Sequence, residues 1–131
     1  MRYLSIDLEA TGLRENDLII EFAAVPFDGK TQEIKKDLSW HSYIQCPSFD
    51  ELKSSLDTWV IENNRELIER AHFEGMTLNK FKEKLTEYLN SKEIKDYFQN
   101  QTVEKIILFG KSLNAIDLPF LNRDLGWKYM R

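Results

Sequence analysis

Alternating apolar and polar positions in the first third of the chain predict three β-strands in succession. The first spans Arg2–Leu8, and the second, mostly apolar, spans Leu18–Val25. The dipeptide Asp28-Gly29 is typical of a hairpin turn, and a third strand is expected within Asp37–Gln45. This succession predicts an antiparallel three-strand meander.

In the middle of the chain, the spacing of apolar residues changes to the period of an α-helix. Apolar residues between Leu52 and Leu67 recur about every 3.6 positions, with an interruption at Asn63, which predicts helical structure whose apolar stripe faces the core and includes Trp59. Gly75 is a stop signal, and Thr77 is the expected N-cap of a second helix, 78–89.

The last third predicts a buried strand followed by a helix. Val103–Phe109 ends in four apolar residues, as suits a strand covered on both faces, and Leu118–Leu125 is amphipathic. The resulting order, β-β-β-α-α-β-α, predicts one α/β domain over residues 1–131. We expect a mixed sheet flanked by helices, with the first and fourth strands adjacent and parallel.

Composition and charge narrow the classes of function. With 42% apolar residues in 131, the chain has the composition of a folded domain. Its net charge of −4 argues against a non-specific nucleic-acid coat protein, although bound metal ions allow an acidic enzyme to act on nucleic acid. One cysteine, no secretory signal and no membrane-spanning apolar run lead us to expect a cytoplasmic protein without membrane contact.

Two carboxylates at the end of the first strand are the first candidate site. Asp7 and Glu9 are two residues apart, so in a strand they project from the same face and repel each other unless a cation lies between them. Hard oxygen ligands suit Mg²⁺ or Mn²⁺. The alternative is that one of them caps a turn at the sheet edge.

A third carboxylate, Asp117, follows the buried fourth strand. If the first and fourth strands are adjacent and parallel, Asp117 approaches Asp7 and Glu9 at the edge where ligands of α/β sheets bind. Its alternative role is to cap the helix that begins at Leu118. Spacing alone leaves both roles open.

Residues 7–13, Asp-Leu-Glu-Ala-Thr-Gly-Leu, with Ile-Ile-Glu-Phe-Ala-Ala-Val at 19–25, resemble the first motif of the DEDD superfamily of 3′–5′ exonucleases. The form with Thr-Gly-Leu is similar to oligoribonuclease and to the epsilon proofreading subunit of DNA polymerase III. Residues 110–112, Gly-Lys-Ser, and 117–121, Asp-Leu-Pro-Phe-Leu, resemble the second motif. The resemblance implies an RNase H-like fold.

The resemblance also implies a chemistry. Asp7, Glu9 and Asp117 would be catalytic ligands of two Mg²⁺ or Mn²⁺ ions, which promote hydrolysis of the terminal phosphodiester and release nucleoside 5′-monophosphates. The substrate would be the 3′ end of single-stranded RNA or DNA. The residues implied to bind the terminal nucleotide are Ala10, Thr11, Gly12, Leu13 and Asn114. Glu21 matches a recurrent Glu of the family, for which a structural salt bridge and a substrate contact are equal alternatives.

The sequence departs from the family after its second motif. A third motif, a His or Tyr general base followed by a fourth Asp, is not found beyond Asp117, where Tyr129 precedes only two residues. We therefore expect a domain truncated before its last strand and helix. Its activity should be weak or absent, because a general base contributes about 10²–10⁴-fold. An uncovered sheet edge is expected to favour a homodimer.

Two other functions compete with this interpretation. One is a metal- or nucleic-acid-binding remnant of the same fold that cuts nothing. The other is a haloacid-dehalogenase-type phosphatase, whose Asp-x-Asp-x-Thr motif also follows a first strand; here Glu9 replaces the second Asp, which argues against it. The sequence does not distinguish RNA from DNA substrates or the His from the Tyr subclass.

Overall fold

The computed structural model of the chain describes residues 1–12, 14, 17–99, 108–109 and 118–125. The strands and helices within these residues are β1 (Arg2–Ala10), β2 (Ile19–Asp28), β3 (Trp40–Tyr43), α1 (Phe49–Leu52), α2 (Thr58–Asn63), α3 (Arg65–Glu74), α4 (Leu78–Leu89), α5 (Lys92–Phe98), β4 (Leu108–Phe109) and α6 (Leu118–Leu125). None of the helices in this part of the chain is long and apolar enough to cross a bilayer.

The four strands form one mixed sheet in the order β3-β2-β1-β4. β1 pairs antiparallel with β2, and β2 pairs antiparallel with β3, which confirms the predicted meander. β4 pairs parallel with β1, with Leu4 opposite Leu108. The fourth strand was expected over 103–109, of which 103–107 lie outside the described residues.

A β-bulge lies where β1 ends. Glu9 pairs with Glu21, but the next residue, Ala10, pairs with Ile19, so that Ile20 is an extra residue on β2. A bulge locally reverses the alternation of side chains between the two faces of a strand. Ile19 and Ile20 are accordingly both buried, but each belongs to a different apolar cluster. β1 therefore runs two residues further than predicted and carries Glu9 within the strand.

The main core lies between one face of the sheet and helices α4 to α6. Its buried members include Leu4, Ile6, Leu8, Phe22, Ala24, Phe81, Leu85, Ile94, Tyr97, Phe120 and Leu121. The ring of Trp40 stacks on Phe81 at 5.8 Å and on Tyr88 at 5.7 Å. Trp40 is thus a packing residue of this core rather than an accessible platform.

A second apolar cluster packs α1, α2 and α3 against the end of β2. Its buried members are Ile20, Cys46, Phe49, Val60, Ile68 and Ala71. The predicted helical segment is divided, since a 3₁₀ turn and an extended residue, Leu56, separate α1 from α2. The prediction that Trp59 belongs to the core is wrong, because this break lets Val60 face the cluster and leaves Trp59 63% exposed.

Cys46 is expected to be chemically inert in the native protein. Its side chain is 4% exposed, and burial raises the pKa of the thiol to about 11, so that little thiolate forms at pH 8. A thiol reagent added at pH 8 should label the unfolded chain promptly and the native chain only as fast as it opens. Prompt labelling without denaturant would contradict this prediction.

Candidate active site

The two carboxylates of the first motif project from the face of β1 opposite the main core. Leu4, Ile6 and Leu8 are buried on one face, which leaves Asp7 and Glu9 exposed on the other. The strand alternation that the sequence predicted therefore holds up to Glu9. Since Asp7 and Glu9 share a face near the C-terminal end of a strand, their negative charges lie close together and accessible to a ligand.

A further carboxylate and a histidine lie on the same face across the sheet. Glu21 is directly opposite Glu9, and Ala23 separates Asp7 from His41 in the next row. The Nε2 atom of His41 lies 2.5 Å from Oε2 of Glu21. Glu21 thus contacts a histidine on the same face of the sheet, and its role toward substrate stays a prediction.

The donor chemistry of this face fits a hard divalent cation. Asp7 and Glu9 provide carboxylate oxygens, which Mg²⁺ and Mn²⁺ prefer, and the neighbouring like charges are unfavourable without a counter-ion. Among the described residues, no three His, Cys, Asp or Glu side chains converge tightly enough to hold a metal by themselves. Asp117, the expected third ligand, lies outside those residues, as do Leu13 and Asn114.

The loop after β1 is organised around a buried carboxylate that the sequence analysis missed. Asp17 is 6% exposed, and its oxygens accept hydrogen bonds from Thr11 Oγ1 at 3.1 Å, from the Arg14 amide at 2.8 Å and from Arg14 Nε at 3.2 Å. Thr11 and Leu18 then close the loop with two bonds, each 2.9 Å long. The sequence gives one indication of this role, which is that Asp17 lies six residues after Thr11 in a segment of turn residues. That spacing predicts a turn, but it does not predict that the carboxylate is buried.

This arrangement leaves little freedom around Gly12. A Cβ atom at this position would lie 2.4 Å from Oδ2 of Asp17, so that any larger residue must displace the carboxylate. The side chain of Thr11 is 2% exposed, and its hydroxyl and amide are both engaged with Asp17 and Leu18. Thr11 consequently shapes the loop from inside, and its hydroxyl is not directed toward solvent.

Two arginines fasten the loop to the rest of the protein. The guanidinium of Arg14 donates to the carbonyl of Ser55, just ahead of α2. Arg123 of α6 donates from Nη1 to the main-chain carbonyl of Asp17 at 2.7 Å. The loop after the first motif is therefore connected to the helix that begins directly after Asp117 in the sequence.

Asp17 should make the stability of the protein depend on acid pH. Burial alone would raise the pKa of this carboxyl, but the hydrogen bonds from Arg14 and Thr11 outweigh burial and hold the pKa below its ordinary value of 3.8. A lowered native pKa stabilises the fold above the unfolded pKa, and this contribution is lost as the pH falls through the native pKa. We expect the unfolding free energy to decline below about pH 5, and to decline less in Asp17→Asn. Urea titrations from pH 6 to pH 3 measure this, and parallel curves for the two proteins would contradict it.

The comparisons with known proteins identify the family. The sequence model of the RNase T exonuclease family matches residues 4–125, which is nearly the whole chain. The chain belongs to this exonuclease family, within the DEDD superfamily. No curated protein sequence matches the chain significantly.

Solved structures of nucleases share the fold of this exonuclease domain. Cell-death related nuclease 4 (CRN-4) aligns with a TM-score of 0.61 and 17% identity over 92% of this chain. Exonuclease I of E. coli, in complex with a dT13 oligonucleotide, gives 0.59 and 15% over 94%. The nuclease domain of 3′hExo, a DEDDh family member bound to rAMP, gives 0.56 and 18% over 94%. At these identities the likeness shows the fold, and it confirms the predicted RNase H-like mixed sheet.

The exonuclease domain spans only part of each of these structures. The alignments cover 39% of the CRN-4 chain, 23% of the exonuclease I chain and 57% of the 3′hExo chain.

Proposed function

We propose that this domain is a 3′–5′ exonuclease that removes nucleoside 5′-monophosphates from single-stranded nucleic acid with the help of two divalent ions. The observation that carries the proposal is the exposed pair Asp7 and Glu9 on one face of β1, in a chain of the exonuclease family. The pair is followed directly by Thr11 and Gly12, where Thr11 is hydrogen-bonded to Asp17. The carboxylates and the loop provide adjacent places for a metal ion and for a nucleotide.

Each site residue has a separate task in this proposal. Asp7 and Glu9 hold Mg²⁺ or Mn²⁺ together with Asp117. When bound, the ions supply activation of a water molecule and stabilisation of the leaving 3′ oxygen. The carboxylates also keep the site negative without metal, which makes binding of an anionic backbone depend on the ions. Metal-free protein should therefore bind oligonucleotides poorly.

The terminal nucleotide is proposed to lie along the main chain that follows Glu9. The side chain of Ala10 packs against the main core, and that of Thr11 is buried, so these two residues offer backbone rather than side-chain groups. Gly12 permits close approach of a ligand, Leu13 would contact the base, and Asn114 would hold a phosphate or sugar oxygen. Apolar contact with a base is tolerant of sequence.

Trp59 is proposed to stack on a base of the substrate. Its ring is 63% exposed although tryptophan is mostly buried in folded domains, and α2 begins close to the point where Arg14 contacts Ser55. We expect Trp59→Ala to weaken binding of a short oligonucleotide with Mn²⁺ by about 5–100-fold, the usual range for one stacked base. Fluorescence anisotropy measures this, with Phe73→Ala, another exposed aromatic, as control. Equal losses in the two variants would contradict a specific role of Trp59.

The proposal is tested with the 131-residue chain on 5′-labelled RNA and DNA of about ten nucleotides, with Mn²⁺, Mg²⁺ or chelator. We expect stepwise shortening from the 3′ end that requires a divalent ion. Binding that requires metal but no cleavage would favour the non-catalytic alternative. Absence of both binding and cleavage would refute the proposal. Sedimentation of the same sample tests the predicted homodimer.

A further inference from the structure

The buried carboxylate of Asp17 has no part in the proposed chemistry, yet it is the centre of the loop that receives the nucleotide. Charged side chains are seldom fully buried unless paired and hydrogen-bonded, because removing them from water is costly. Here the partners are Thr11 and Arg14, both of the same loop. Arg14 is half exposed, so its ion pair with Asp17 is a weak source of stability and serves better to select one conformation of the loop.

We propose that Asp17 is a positioning residue, which holds the main chain at Gly12 in the conformation that binds the 3′-terminal nucleotide. This inference rests on the proposed function, because it assigns a task within the same site. Asp17 touches neither metal nor substrate. It acts by fixing the conformation of the loop before the ligand binds, which lowers the entropic cost of binding.

The first support is local geometry. The carboxylate bonds to the residue before Gly12 and to the amide of Arg14 after it, so it spans the segment that is to contact the nucleotide. Gly12 is packed against Oδ2 of Asp17 so closely that no Cβ fits. A single side chain, that of Asp17, consequently contacts Thr11 and Arg14 and leaves no room for a Cβ atom at Gly12.

The second support is the connection to α6. The main-chain carbonyl of Asp17 accepts a hydrogen bond from Arg123, whose guanidinium is itself fixed by two contacts with Asp124, at 2.7 and 2.9 Å, and lies 4.7 Å from the ring centre of Phe120. Phe120 is buried in the main core. The main chain of Asp17 therefore connects the loop of the first motif to α6, the helix that contains residues 118–121 of the second motif.

The experiment measures binding of adenosine 5′-monophosphate in the presence of Mn²⁺, and of Mn²⁺ alone, by titration calorimetry on the 131-residue chain. Asp17→Asn should bind the nucleotide at least about tenfold more weakly, the order expected when a charge-assisted hydrogen bond is lost. Its affinity for Mn²⁺ should stay within about twofold of the unsubstituted chain, because Asp7 and Glu9 are untouched. Both titrations are made well below the melting temperature of each variant.

Asp28→Asn is the matched control. The carboxylate of Asp28 also anchors a loop, accepting from the amides of Lys30 and Thr31, but in the hairpin at the other end of β2. Asp28→Asn should therefore lower stability without changing nucleotide affinity. Thr11→Val should reproduce the defect of Asp17→Asn, and Thr11→Ser should restore affinity, since only serine keeps the hydroxyl that bonds to Asp17.

The outcomes separate the inference from the proposed function. If the unsubstituted chain binds no nucleotide with Mn²⁺, the proposed function fails and the inference fails with it. If the chain binds nucleotide and Asp17→Asn binds equally well, the inference alone is overturned. If Asp17→Asn does not fold, the Thr11 pair decides: equal nucleotide affinity of Thr11→Val and Thr11→Ser overturns the inference, and rescue by serine supports it.

Discussion

Asp7→Asn is expected to abolish metal binding at the candidate site and to slow 3′ shortening by at least about a hundredfold. The amide keeps the size of the carboxylate but removes its negative charge and one of its oxygen ligands, and a bound metal ion contributes several kcal/mol to stabilising the transition state. The loss should not come from unfolding. Asp7 is exposed, so the metal-free variant should be about as stable as the parent.

Mn²⁺ titration and the oligonucleotide assay measure the two parts of this effect on the same sample. Asp37→Asn, which removes an exposed carboxylate from a 3₁₀ turn away from β1, controls for the change in net charge. If Asp7→Asn and Asp37→Asn bind Mn²⁺ alike, Asp7 is not a ligand, and two-metal chemistry at this face would have to be abandoned.

Phe81→Ala should have the largest effect on stability, lowering the free energy of unfolding by about 3–5 kcal/mol. Phe81 is 0% exposed, its ring meets that of Phe22 edge-on at 5.3 Å, and it stacks on Trp40 at 5.8 Å. Truncation leaves a cavity between α4 and the sheet and removes both aromatic contacts. Since domains are stabilised by only about 5–15 kcal/mol, this variant should be close to its unfolding midpoint in water.

Urea denaturation followed by circular dichroism measures the change. Phe73→Ala is the matched control, because Phe73 lies on α3 with 82% of its surface exposed, and surface substitutions usually alter stability by less than about 0.5 kcal/mol. A loss below about 1 kcal/mol in Phe81→Ala would show that the core between α4 and the sheet is not close-packed as described.

The order of the strands and the face that carries Asp7 and Glu9 could be predicted because both depend on local pattern. Alternation of Leu4, Ile6 and Leu8 determines which face of β1 is buried, and a single strand is enough to show it. The parallel pairing of β1 and β4 also followed from the apolar run at 106–109. The hydrophobic pattern thus predicted the order of the strands in the sheet and the common face of Asp7 and Glu9.

The remainder depends on contacts that sequence pattern does not record. Trp59 was assigned to the core because the apolar period was extended through residues 53–57 as if they were helical. The chain leaves the α-helix in this segment, so the residues of α2 point in directions that the period does not predict. Asp17 could not be recognised as buried, since one of the groups that hold its loop, Arg123, is 106 positions away. Turn residues in a sequence predict a change of chain direction, but whether they are buried depends on contacts with residues that are distant in the sequence.

The pairing of β1 with β4 has a consequence for how the protein folds. Leu4 and Ser5 lie near the start of the chain and pair with Leu108 and Phe109, so that the partners are 104 positions apart in a chain of 131 residues. Loop-closure entropy makes such a contact slow to form compared with the β1–β2–β3 hairpins, whose partners are near in sequence. We expect the hairpins to fold early and β4 to join late. A ligand that binds only the completed sheet would then act mainly on the unfolding rate, and refolding would be little faster in its presence.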